Sequence, residues 1–339
     1  MIKIGINGFG RIGRVALRVI LAKYLDKVKP VVINTSGSMK IDGWAHLLEY
    51  DSVYGRFNGK VLVEKGEGEE IGVIIVNQQR IPVLAQREPG KIDWKKYQAE
   101  VMVESTGVFR DRQSVAAHLE AGAKKVVVSA PAKGIESLVM GVNQDKYRGS
   151  LIISNGSCTT NCVAPVTKLM QEKFGLQKAF MTTIHAYTAD QELVDGSHRD
   201  LRRARAAAVN IIPTSTGAAI TTTEVLPSLK GLFDGLALRV PVVCGSLADF
   251  TFLTSKRTSI KEVNQAFIEA AQGQYKGILE VSSKPLVSRD ILGNSASAII
   301  DLNLTKVIDG DLVKIIAWYD NEWAYCCRLI EEVIWISKP

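Results

Sequence analysis

Short runs of β-branched residues alternate with stretches of helical spacing along the first 155 residues of the chain. The runs that predict strands cover residues 2–6, 31–34, 101–105, 125–129 and 151–154. Between two of them, residues 114–121 have the spacing of a helix and end at Gly122, a residue type that commonly follows the last helical turn. Strands that alternate with helices in this way predict an α/β fold with a mostly parallel sheet.

Two segments depart from this alternation. Residues 56–85 contain apolar runs at 59–64 and 73–76 on either side of a Glu- and Gly-rich stretch, which predicts a small antiparallel insertion. Residues 190–210 are basic and have few hydrophobic periodicities, so we expect a long loop there. Long loops within compact domains tend to be functional.

Length and composition favour two domains. The chain has 339 residues, of which 46% are apolar, and single hydrophobic cores rarely grow beyond about 250 residues. Its start alternates as a strand does and shows no secretory pattern, and no apolar run in the sequence reaches the ~18 residues needed to span a bilayer. Five cysteines, an odd number without framework spacing, fit a reducing compartment. We therefore expect a soluble, cytoplasmic protein that does not enter a membrane.

The net charge of +7 is open to two interpretations. A basic surface can bind nucleic acid, or it can attract phosphorylated metabolites. The densest basic run, residues 199–205, is interrupted by an Asp, and the sequence has no zinc-finger spacing or aromatic-rich basic module. Nucleic acid is therefore not expected as the main partner, and most of the charge is interpreted as solvated surface.

The first chemical motif is the glycine pattern Gly8-Phe-Gly10-Arg-Ile-Gly13. It directly follows a predicted strand and opens an amphipathic helix over residues 11–24, which is the context that a dinucleotide-binding fingerprint requires. Gly8 permits a tight turn, Gly10 lets the backbone approach a pyrophosphate, and Gly13 lets helix and strand pack closely. Amides at the helix start then face the phosphates. The motif predicts dinucleotide binding; the alternative is a packing cluster of glycines that binds nothing.

The second predicted strand ends at Asn34 and is followed by Thr35 and Ser36. Dinucleotide folds commonly place an acid here, which accepts from the 2′-hydroxyl of NAD and repels the 2′-phosphate of NADP. Because this chain has hydroxyls instead, we expect that a barrier to NADP is absent, and hydroxyls can also donate to a phosphate. The alternative is that Thr35 caps the loop and NAD remains the cofactor.

Cys158 and Cys162 lie four residues apart among hydroxyls and amides. The other cysteines and His198 show no paired metal spacing around them, so we predict no metal site. Sulfurs on neighbouring helical turns approach each other only imperfectly, which argues against a structural disulfide. There remains a thiol on the first turn of a helix that continues to about residue 173. A helix N-terminus and a nearby histidine lower the pKa of a thiol, so Cys158 is the candidate nucleophile.

His185 follows the β-rich run 180–184. A strand added after the crossover helix can bring the end of this run back alongside the thiol, which makes His185 the candidate base. The alternative is that His185 is a packed or surface residue, as lone histidines commonly are.

Five blocks of the chain resemble the phosphorylating glyceraldehyde-3-phosphate dehydrogenases. The blocks are Ile4-Gly-Ile-Asn-Gly-Phe-Gly-Arg-Ile-Gly-Arg14, Ala45-His-Leu-Leu-Glu-Tyr-Asp-Ser52, Ser157-Cys-Thr-Thr-Asn-Cys162, His185-Ala-Tyr-Thr188 and Trp318-Tyr-Asp-Asn-Glu-Trp323. The resemblance runs in one order from residue 2 to about residue 335. It implies a doubly wound Rossmann domain and an α+β catalytic domain with a predominantly antiparallel sheet. It also implies reversible oxidation of glyceraldehyde 3-phosphate to 1,3-bisphosphoglycerate, with inorganic phosphate as second substrate and NAD or NADP as cofactor.

The resemblance assigns roles to the matching positions. Cys158 attacks the aldehyde to give a thiohemiacetal, and His185 acts as base and later steadies the tetrahedral oxyanion. Hydride transfer leaves a thioester, which phosphate cleaves to an acyl phosphate. Asn321 holds the nicotinamide carboxamide, and Tyr325 packs nearby. The remaining cofactor positions are Gly8, Gly10, Arg11, Ile12, Gly13, Asn34, Thr35, Ser36, Arg80, Ser105, Thr106, Gly107, Ser129 and Ser197.

The same resemblance implies two phosphate sites. Thr188 and Arg239 match the pocket for the substrate phosphate. The site of the attacking phosphate matches Ser157, Thr159, Thr216 and Gly217, with Arg203. Hydroxyls, backbone amides and arginines are the groups that phosphate oxyanions need.

Two departures from the family pattern favour NADP. The usual acid after the second strand is Thr35 here, and Ser197 stands where strictly NAD-using members typically carry proline. Both changes, together with basic residues 199–205, resemble the NADP-accepting, photosynthetic-type members. NADP use, or use of both nucleotides, is therefore expected.

We expect residues 1–157 and 322–339 to form the dinucleotide-binding domain and residues 158–321 the catalytic domain. Because the family uses the long basic loop against neighbouring subunits, a homotetramer is implied. An erythrose-4-phosphate dehydrogenase would use the same kind of nucleophile and cofactor. The complete set of matching phosphate-binding residues favours glyceraldehyde 3-phosphate as the substrate. Related semialdehyde reductases do not combine these motifs. A nucleic-acid-binding protein is the alternative from a different class.

Overall fold

The structure is a computed structural model that describes residues 1–338. The chain divides into two units. The first contains Met1–Leu138, Asp145–Gly156 and the residues from Cys326 onward, and the second contains Val139–Gln144 and Ser157–Tyr325. The chain thus passes from the first unit to the second after Gly156 and returns to the first at Cys326. The sequence predicts that the dinucleotide-binding domain ends at residue 157 and resumes at residue 322.

The first unit contains the elements from β1 to β11. Its strands are β1 (Ile2–Asn7), β2 (Val28–Asn34), β3 (Tyr50–Asp51), β4 (Gly55–Arg56), β5 (Val61–Glu64), β6 (Gly72–Val76), β7 (Gln79–Leu84), β8 (Val101–Glu104), β9 (Lys125–Val128), β10 (Glu136–Ser137) and β11 (Ile152–Ser154). Its helices are α1 (Arg11–Val19), α2 (Ile41–Glu49) and α3 (Arg112–Glu120). A π-helical turn over Ile20–Tyr24 continues α1, so together they cover the predicted helix.

Within residues 1–338, nine of these strands form one sheet in the order β10-β11-β9-β8-β1-β2-β7-β6-β5. Neighbouring strands are parallel from β10 to β7 and antiparallel from β7 to β5. The order β7-β2-β1-β8-β9-β11 is that of a doubly wound Rossmann sheet. The predicted parallel sheet and Rossmann domain are therefore confirmed.

The predicted antiparallel insertion is present as β5 and β6, but the sequence analysis missed β7. A tight turn at Asn77 and Gln78, both with positive φ, reverses the chain after β6. β7 then pairs parallel with β2, with Leu84 opposite Asn34. The insertion therefore continues the main sheet, and the end of β7 lies beside the end of β2.

The start of α1 packs closely against the turn that precedes it. Gly8 has φ of 95°, a conformation that favours glycine. A Cβ at Gly13 would lie only 2.0 Å from Gly8 O. These two positions therefore require glycine for steric reasons, as the motif predicts.

The second unit contains the strands from β12 onward. They are β12 (Leu176–Ala186), β13 (Ile212–Thr214), β14 (Phe233–Val240), β15 (Ser246–Thr254), β16 (Leu279–Ser282), β17 (Ala298–Asp301), β18 (Lys306–Ile308) and β19 (Leu312–Tyr319). The helices of the second unit are α4 (Cys158–Phe174), α5 (Ala218–Val225) and α6 (Ile260–Gln272). The last helix, α7 (Trp323–Ile336), begins at the end of this unit and belongs to the first unit from Cys326 onward. Single 3₁₀ turns cover Pro89–Lys91, Gln144–Lys146, Ala207–Val209 and Pro227–Leu229. None of the helices in the described part of the chain is long and apolar enough to cross a membrane.

The second sheet has the order β13-β14-β12-β15-β19-β17-β16, and β18 also pairs with β19. Its pairs are antiparallel except for β12–β14 and β16–β17, which confirms the predicted predominantly antiparallel sheet. Buried side chains alternate strictly along β15, as expected for a strand with one face in the core. Phe250 and Phe252 of β15 share that core with Val166 and Met170 of α4. This packing holds α4 against the sheet that contains β12.

Candidate active site

Ser157 begins the helix that carries the predicted nucleophile. Its Oγ accepts a hydrogen bond from Thr160 N at 3.0 Å, so Ser157 is the N-cap of α4 and Cys158 is the first helical residue. The preceding Gly156 has φ of 60°, which allows the sharp turn that leads into α4. The predicted local structure of strand, glycine turn and thiol on a first helical turn is confirmed.

Cys162 is a packing residue of the catalytic unit's core. Its side chain is fully buried in that core, and both Cys158 and Cys162 are free thiols. Among residues 1–338, no group of three or more His, Cys, Asp or Glu side chains is arranged to hold a metal ion.

His185 reaches Cys158 from the end of β12. This strand pairs with β14 on one side, which places His185 opposite Arg239, and with β15 on the other. The imidazole Nε2 lies 3.3 Å from Cys158 Sγ. The sequence left open whether this histidine packs elsewhere; the structure brings it to the thiol.

The second ring nitrogen of His185 determines its tautomer. Nδ1 lies 2.6 Å from Ala186 O, a group that only accepts, so Nδ1 carries the proton. Arg239 Nη1 lies 2.9 Å from this nitrogen and 3.0 Å from Ala186 O, and we assign its hydrogen bond to the carbonyl. Nε2 then keeps its lone pair toward the thiol, as a general base requires.

Burial sets the protonation of this pair. Burial lowers the pKa of His185 to about 3, and the neighbouring Arg239 cation adds to the effect. Burial also raises the pKa of the Cys158 thiol, and Arg239 opposes this only in part. Desolvation thus opposes the lowering of the Cys158 pKa that was expected from the helix start and the histidine. The resting pair is neutral, so the thiol proton moves to Nε2 as the sulfur attacks.

Arg239 has unused capacity to bind an anion. Its Nη1 donates to Ala186 O and lies 3.4 Å from Thr188 Oγ1, while its buried Nε has no partner within the described chain. A buried donor without an acceptor is costly, and phosphate oxygens suit the guanidinium group well. The structure thus brings together four predicted residues, Cys158, His185, Thr188 and Arg239, around a position suited to a phosphorylated substrate.

Thr159 belongs to a buried hydroxyl network that the sequence analysis did not find. Its Oγ1 lies 2.9 Å from Tyr319 Oη, which lies 2.8 Å from Thr183 Oγ1. Burial raises the pKa of Tyr319 well above its ordinary value, so the phenol stays neutral. The hydroxyl of Thr159 is therefore already engaged. Tyr319 lies within one of the blocks quoted for the resemblance, which is the signal that pointed to it.

The remaining predicted phosphate residues lie near β13 and α5. Arg203 donates to Thr214 Oγ1 and Ser215 O and pairs with Asp190, so protein acceptors already occupy its guanidinium. Thr216 Oγ1 accepts from a backbone N–H, and Gly217 directly precedes α5. Their contacts with phosphate stay a prediction.

Most of the predicted dinucleotide residues of the first unit lie at the carboxyl ends of its parallel strands. Ser105 Oγ donates to Gly8 O at 2.8 Å, which ties the segment after β8 to the glycine turn. A Cβ at Gly10 would meet no described atom within 4 Å, so a ligand has room to approach the backbone. Arg11 pairs with Asp51 at 2.6 Å. Ile12 and Gly13 lie in the first turn of α1, Thr106 and Gly107 follow β8, and Ser129 follows β9.

Glu104 holds three of these segments together, and the sequence analysis missed it. Its buried carboxylate accepts from Asn7 Nδ2 at 2.5 Å, from His118 Nε2 at 2.9 Å, and from the amide and hydroxyl of Thr106. Asn7 Oδ1 in turn accepts from Asn34 Nδ2 at 2.6 Å. Four donors compensate the desolvation of one carboxylate. The sequence signal that could have indicated this role is a single acidic residue at the end of the otherwise apolar strand β8.

The Thr35 hydroxyl is not free to donate to a phosphate, which corrects the sequence-based expectation. Thr35 is buried; its Oγ1 donates to Leu84 O at 2.9 Å and accepts from Gly37 N at 3.3 Å. Thr35 therefore caps the loop, because β7 supplies an acceptor that the sequence did not reveal. Ser36 and Ser38 are exposed instead, with their Oγ atoms 2.9 Å apart.

Arg80 does not lie at the cofactor edge of the sheet, so its assignment is wrong. It is the second residue of β7, and its guanidinium pairs with an acid on β5. Leu84, at the far end of β7, is the residue opposite Asn34, which puts Arg80 roughly 13 Å from that edge at about 3.3 Å per residue. Gln86 reaches Asn34 instead, through its backbone N–H and carbonyl at 2.9 and 2.7 Å. Recognition of β7 in the sequence would have pointed to Gln86 and the exposed Arg87.

The predicted cofactor residues of the second unit have different environments. Asn321 is buried, and its Oδ1 accepts from Gly245 N and Ser246 Oγ. Tyr325 is buried in α7. Ser197 is exposed in the loop between β12 and β13.

Two family models match the chain. Residues 2–112 match the glyceraldehyde 3-phosphate dehydrogenase NAD binding domain, and residues 157–321 match the C-terminal domain of the same family. The second match contains both Cys158 and His185.

Several proteins that are similar to this chain over nearly their full length are named glyceraldehyde-3-phosphate dehydrogenase. The glyceraldehyde-3-phosphate dehydrogenase of Mycobacterium tuberculosis (strain ATCC 25618 / H37Rv) is 49% identical, with 99% of each chain covered. Glyceraldehyde-3-phosphate dehydrogenase 1 of Bacillus subtilis (strain 168) is 48% identical, covering 99% of this chain and 98% of the relative. Glyceraldehyde-3-phosphate dehydrogenase 2 of Nostoc sp. (strain PCC 7120 / SAG 25.82 / UTEX 2576) is 47% identical, covering 98% and 97%.

The depressed pKa of His185 predicts a pH dependence of stability. The unfolded imidazole, with a pKa of 6.5, binds a proton that the folded site excludes down to about pH 3. The contribution of His185 is therefore fully present above pH 6.5 and is lost as the pH falls toward 3, with a slope of up to about 1.4 kcal/mol per pH unit.

His185→Gln removes this titrating group. Denaturant titrations of both proteins should show a free energy of unfolding that falls more steeply with decreasing pH for wild type than for His185→Gln. Equal slopes below neutral pH would contradict the buried, neutral imidazole.

Proposed function

Since this chain belongs to the glyceraldehyde-3-phosphate dehydrogenase family, we propose that Cys158 and His185 catalyse the reversible oxidative phosphorylation of glyceraldehyde 3-phosphate. The 3.3 Å approach of Nε2 to Sγ carries this proposal. A thiol beside a neutral imidazole is suited to covalent attack on a carbonyl carbon.

Proton transfer within the pair accompanies the first covalent step. Cys158 Sγ forms a bond to the aldehyde carbon while its proton moves to His185 Nε2, and the resulting imidazolium donates to the oxygen of the thiohemiacetal. Bound nicotinamide supplies the hydride acceptor for the oxidation. As the thiohemiacetal carbon loses hydride, its oxygen returns its proton to His185 Nε2, and a thioester to Cys158 remains.

Phosphorolysis regenerates the thiol. An oxygen of inorganic phosphate attacks the thioester carbon, the carbon–sulfur bond breaks, and the sulfur recovers a proton through His185. The product is an acyl phosphate. The unpartnered Nε of Arg239 and the nearby Thr188 hydroxyl support binding of the phosphate that the substrate already carries.

Removal of the nucleophile tests this assignment. Cys158→Ser should lower the rate of nicotinamide reduction by at least about a thousandfold, because a neutral hydroxyl is a poor nucleophile beside imidazole. Cys162→Ser, the same substitution one helical turn further along α4, should retain activity within about fivefold. Near-ultraviolet absorbance of the reduced nicotinamide is the measurement, with and without inorganic phosphate. Turnover by Cys158→Ser at a rate close to that of Cys162→Ser would reject Cys158 as the nucleophile.

The same assay separates the related sugar substrates. Phosphate-dependent reduction with glyceraldehyde 3-phosphate supports the proposed reaction. Greater efficiency with erythrose 4-phosphate would favour an erythrose-4-phosphate dehydrogenase.

The first unit belongs to an NAD-binding domain family, and we propose that this chain also accepts NADP. The exposed hydroxyls of Ser36 and Ser38 follow β2 where an acid would exclude a 2′-phosphate. No carboxylate stands at position 35 or 36, and hydroxyls can donate to the phosphate. Ser197 remains a further candidate for this contact.

Two hydroxyl deletions at adjacent positions test the cofactor proposal. Ser36→Ala should lower kcat/KM with NADP by about tenfold and leave kcat/KM with NAD nearly unchanged, because it removes one donor to a charged group. Thr35→Val deletes a hydroxyl that is bound to Leu84 O, so the NADP to NAD ratio should stay within about twofold. A ratio that changes with Thr35→Val but not with Ser36→Ala would contradict the proposal.

We further propose that the protein is a cytoplasmic homotetramer. The loop between β12 and β13 exposes several large apolar side chains: Leu193, Val194, Leu201, Val209 and Ile211. Exposed apolar groups gathered in one loop are typical of an interaction surface.

A charge placed in this loop tests assembly. Val194→Lys combined with Leu201→Lys should shift the mass measured by light scattering from tetramer toward smaller species, because lysines resist burial in an interface core. Ile308→Lys, at another exposed apolar position on β18, should leave the mass unchanged. An unchanged tetramer in the loop double variant would place the interface elsewhere.

A further inference from the structure

Asn321 presents only one end of its amide to a ligand. Its Oδ1 accepts from Gly245 N at 3.0 Å and from Ser246 Oγ at 2.9 Å, and Cys244 Sγ donates to it at 3.7 Å. Its Nδ2 makes no hydrogen bond with any residue between 1 and 338, although Asn321 is only 6% exposed. A buried amide with a saturated oxygen and an open nitrogen can act only as a donor.

These donors also prevent the amide from rotating by half a turn. A backbone N–H cannot accept, so Nδ2 cannot replace Oδ1 opposite Gly245. Ser246 Oγ itself accepts from Ala186 N at 3.2 Å, which directs the hydroxyl proton toward Asn321. The orientation of Asn321 is therefore determined by the surrounding hydrogen bonds.

The segment that supplies these donors is constrained by its own packing. Gly245 has φ of 91°, and a Cβ there would lie 2.3 Å from Ser288 O. Ser246 is the first residue of β15 and is 1% exposed. Ala186, whose N–H reaches Ser246, is also the residue whose carbonyl accepts from His185 Nδ1. One residue thus connects the orientation of the base with that of Asn321.

We propose that Gly245 and Ser246 are positioning residues that restrict Asn321 to the role of hydrogen-bond donor. The site then recognises the carbonyl oxygen of the nicotinamide carboxamide, and it makes no use of the carboxamide NH₂ through Asn321. This inference rests on the proposed function, in which Asn321 contacts the nicotinamide.

A cofactor analogue tests the donor-only role without any substitution in the protein. The 3-acetylpyridine analogue of NAD keeps the carbonyl oxygen and replaces the NH₂ by a methyl group. Wild-type enzyme should use it with a kcat/KM within about tenfold of that for NAD, because the contact with Asn321 is retained. A larger loss would show that the site requires the NH₂ group and would overturn the proposal.

A matched pair of hydroxyl deletions tests the positioning role of Ser246. Ser246→Ala should lower kcat about fivefold with NAD and with the analogue, at unchanged KM for glyceraldehyde 3-phosphate, because Asn321 loses one of the hydrogen bonds that restrain it. Thr254→Val deletes a buried hydroxyl at the opposite end of β15, where it donates to Lys256 O. This control should leave kcat unchanged even where it lowers the melting temperature.

The outcomes separate the inference from the proposed function. If Ser246→Ala kept the wild-type kcat, or lost no more kcat than Thr254→Val, the positioning role would be overturned. Phosphate-dependent reduction by the wild-type protein would still uphold the proposed function in that case. Iodoacetamide labelling of Cys158, which needs no nucleotide, should proceed at the wild-type rate in Ser246→Ala. Slower labelling would indicate a general disturbance of the site and would also overturn the inference. If wild type reduced neither nucleotide, the proposed function would be rejected, and the inference with it.

Discussion

The 3.3 Å contact between Cys158 Sγ and His185 Nε2 depends on where one helix begins and where one strand ends. Ser157 caps α4 so that the thiol is on its first turn, and the register of β12 with β14 and β15 carries His185 to its place. The hydrophobic core shared by α4 and the second sheet keeps these two elements together. A shift of one residue in β12 would turn the imidazole to the other face of the sheet, so the chemistry depends on packing some distance from the sulfur.

Desolvation is compensated differently at the two buried polar centres of this chain. The carboxylate of Glu104 in the first unit accepts hydrogen bonds from three segments of the chain. Such a network suits a group that fixes the conformation of the predicted dinucleotide-binding edge of the sheet. In the second unit, Arg239 keeps an unpartnered Nε, and burial keeps both His185 and Cys158 neutral. A saturated network stabilises a structure, whereas an unsaturated one is prepared for a charged ligand.

Local pattern in the sequence was sufficient for the glycine turn, the helix that begins at Cys158 and the strand that carries His185 near its end, because each depends on neighbours in the chain. Side-chain direction and burial were harder to infer because they depend on distant segments. Thr35 turns toward β7, a strand that the sequence analysis missed, and Arg80 lies at the wrong end of that same strand. Desolvation of the Cys158 thiol, which raises its pKa, could not be inferred from a helix start alone. The roles carried over from the family, including those of Thr216 and Ser197, stay predictions.

The central claim is that Cys158 carries the acyl group between oxidation and phosphorolysis. Mass spectrometry of the protein mixed with glyceraldehyde 3-phosphate and NAD, without inorganic phosphate, tests it most directly. We predict a phosphoglyceroyl adduct on the peptide that contains Cys158, and its loss when phosphate is added. An adduct on another residue, or oxidation of the aldehyde with no adduct on Cys158, would contradict this account.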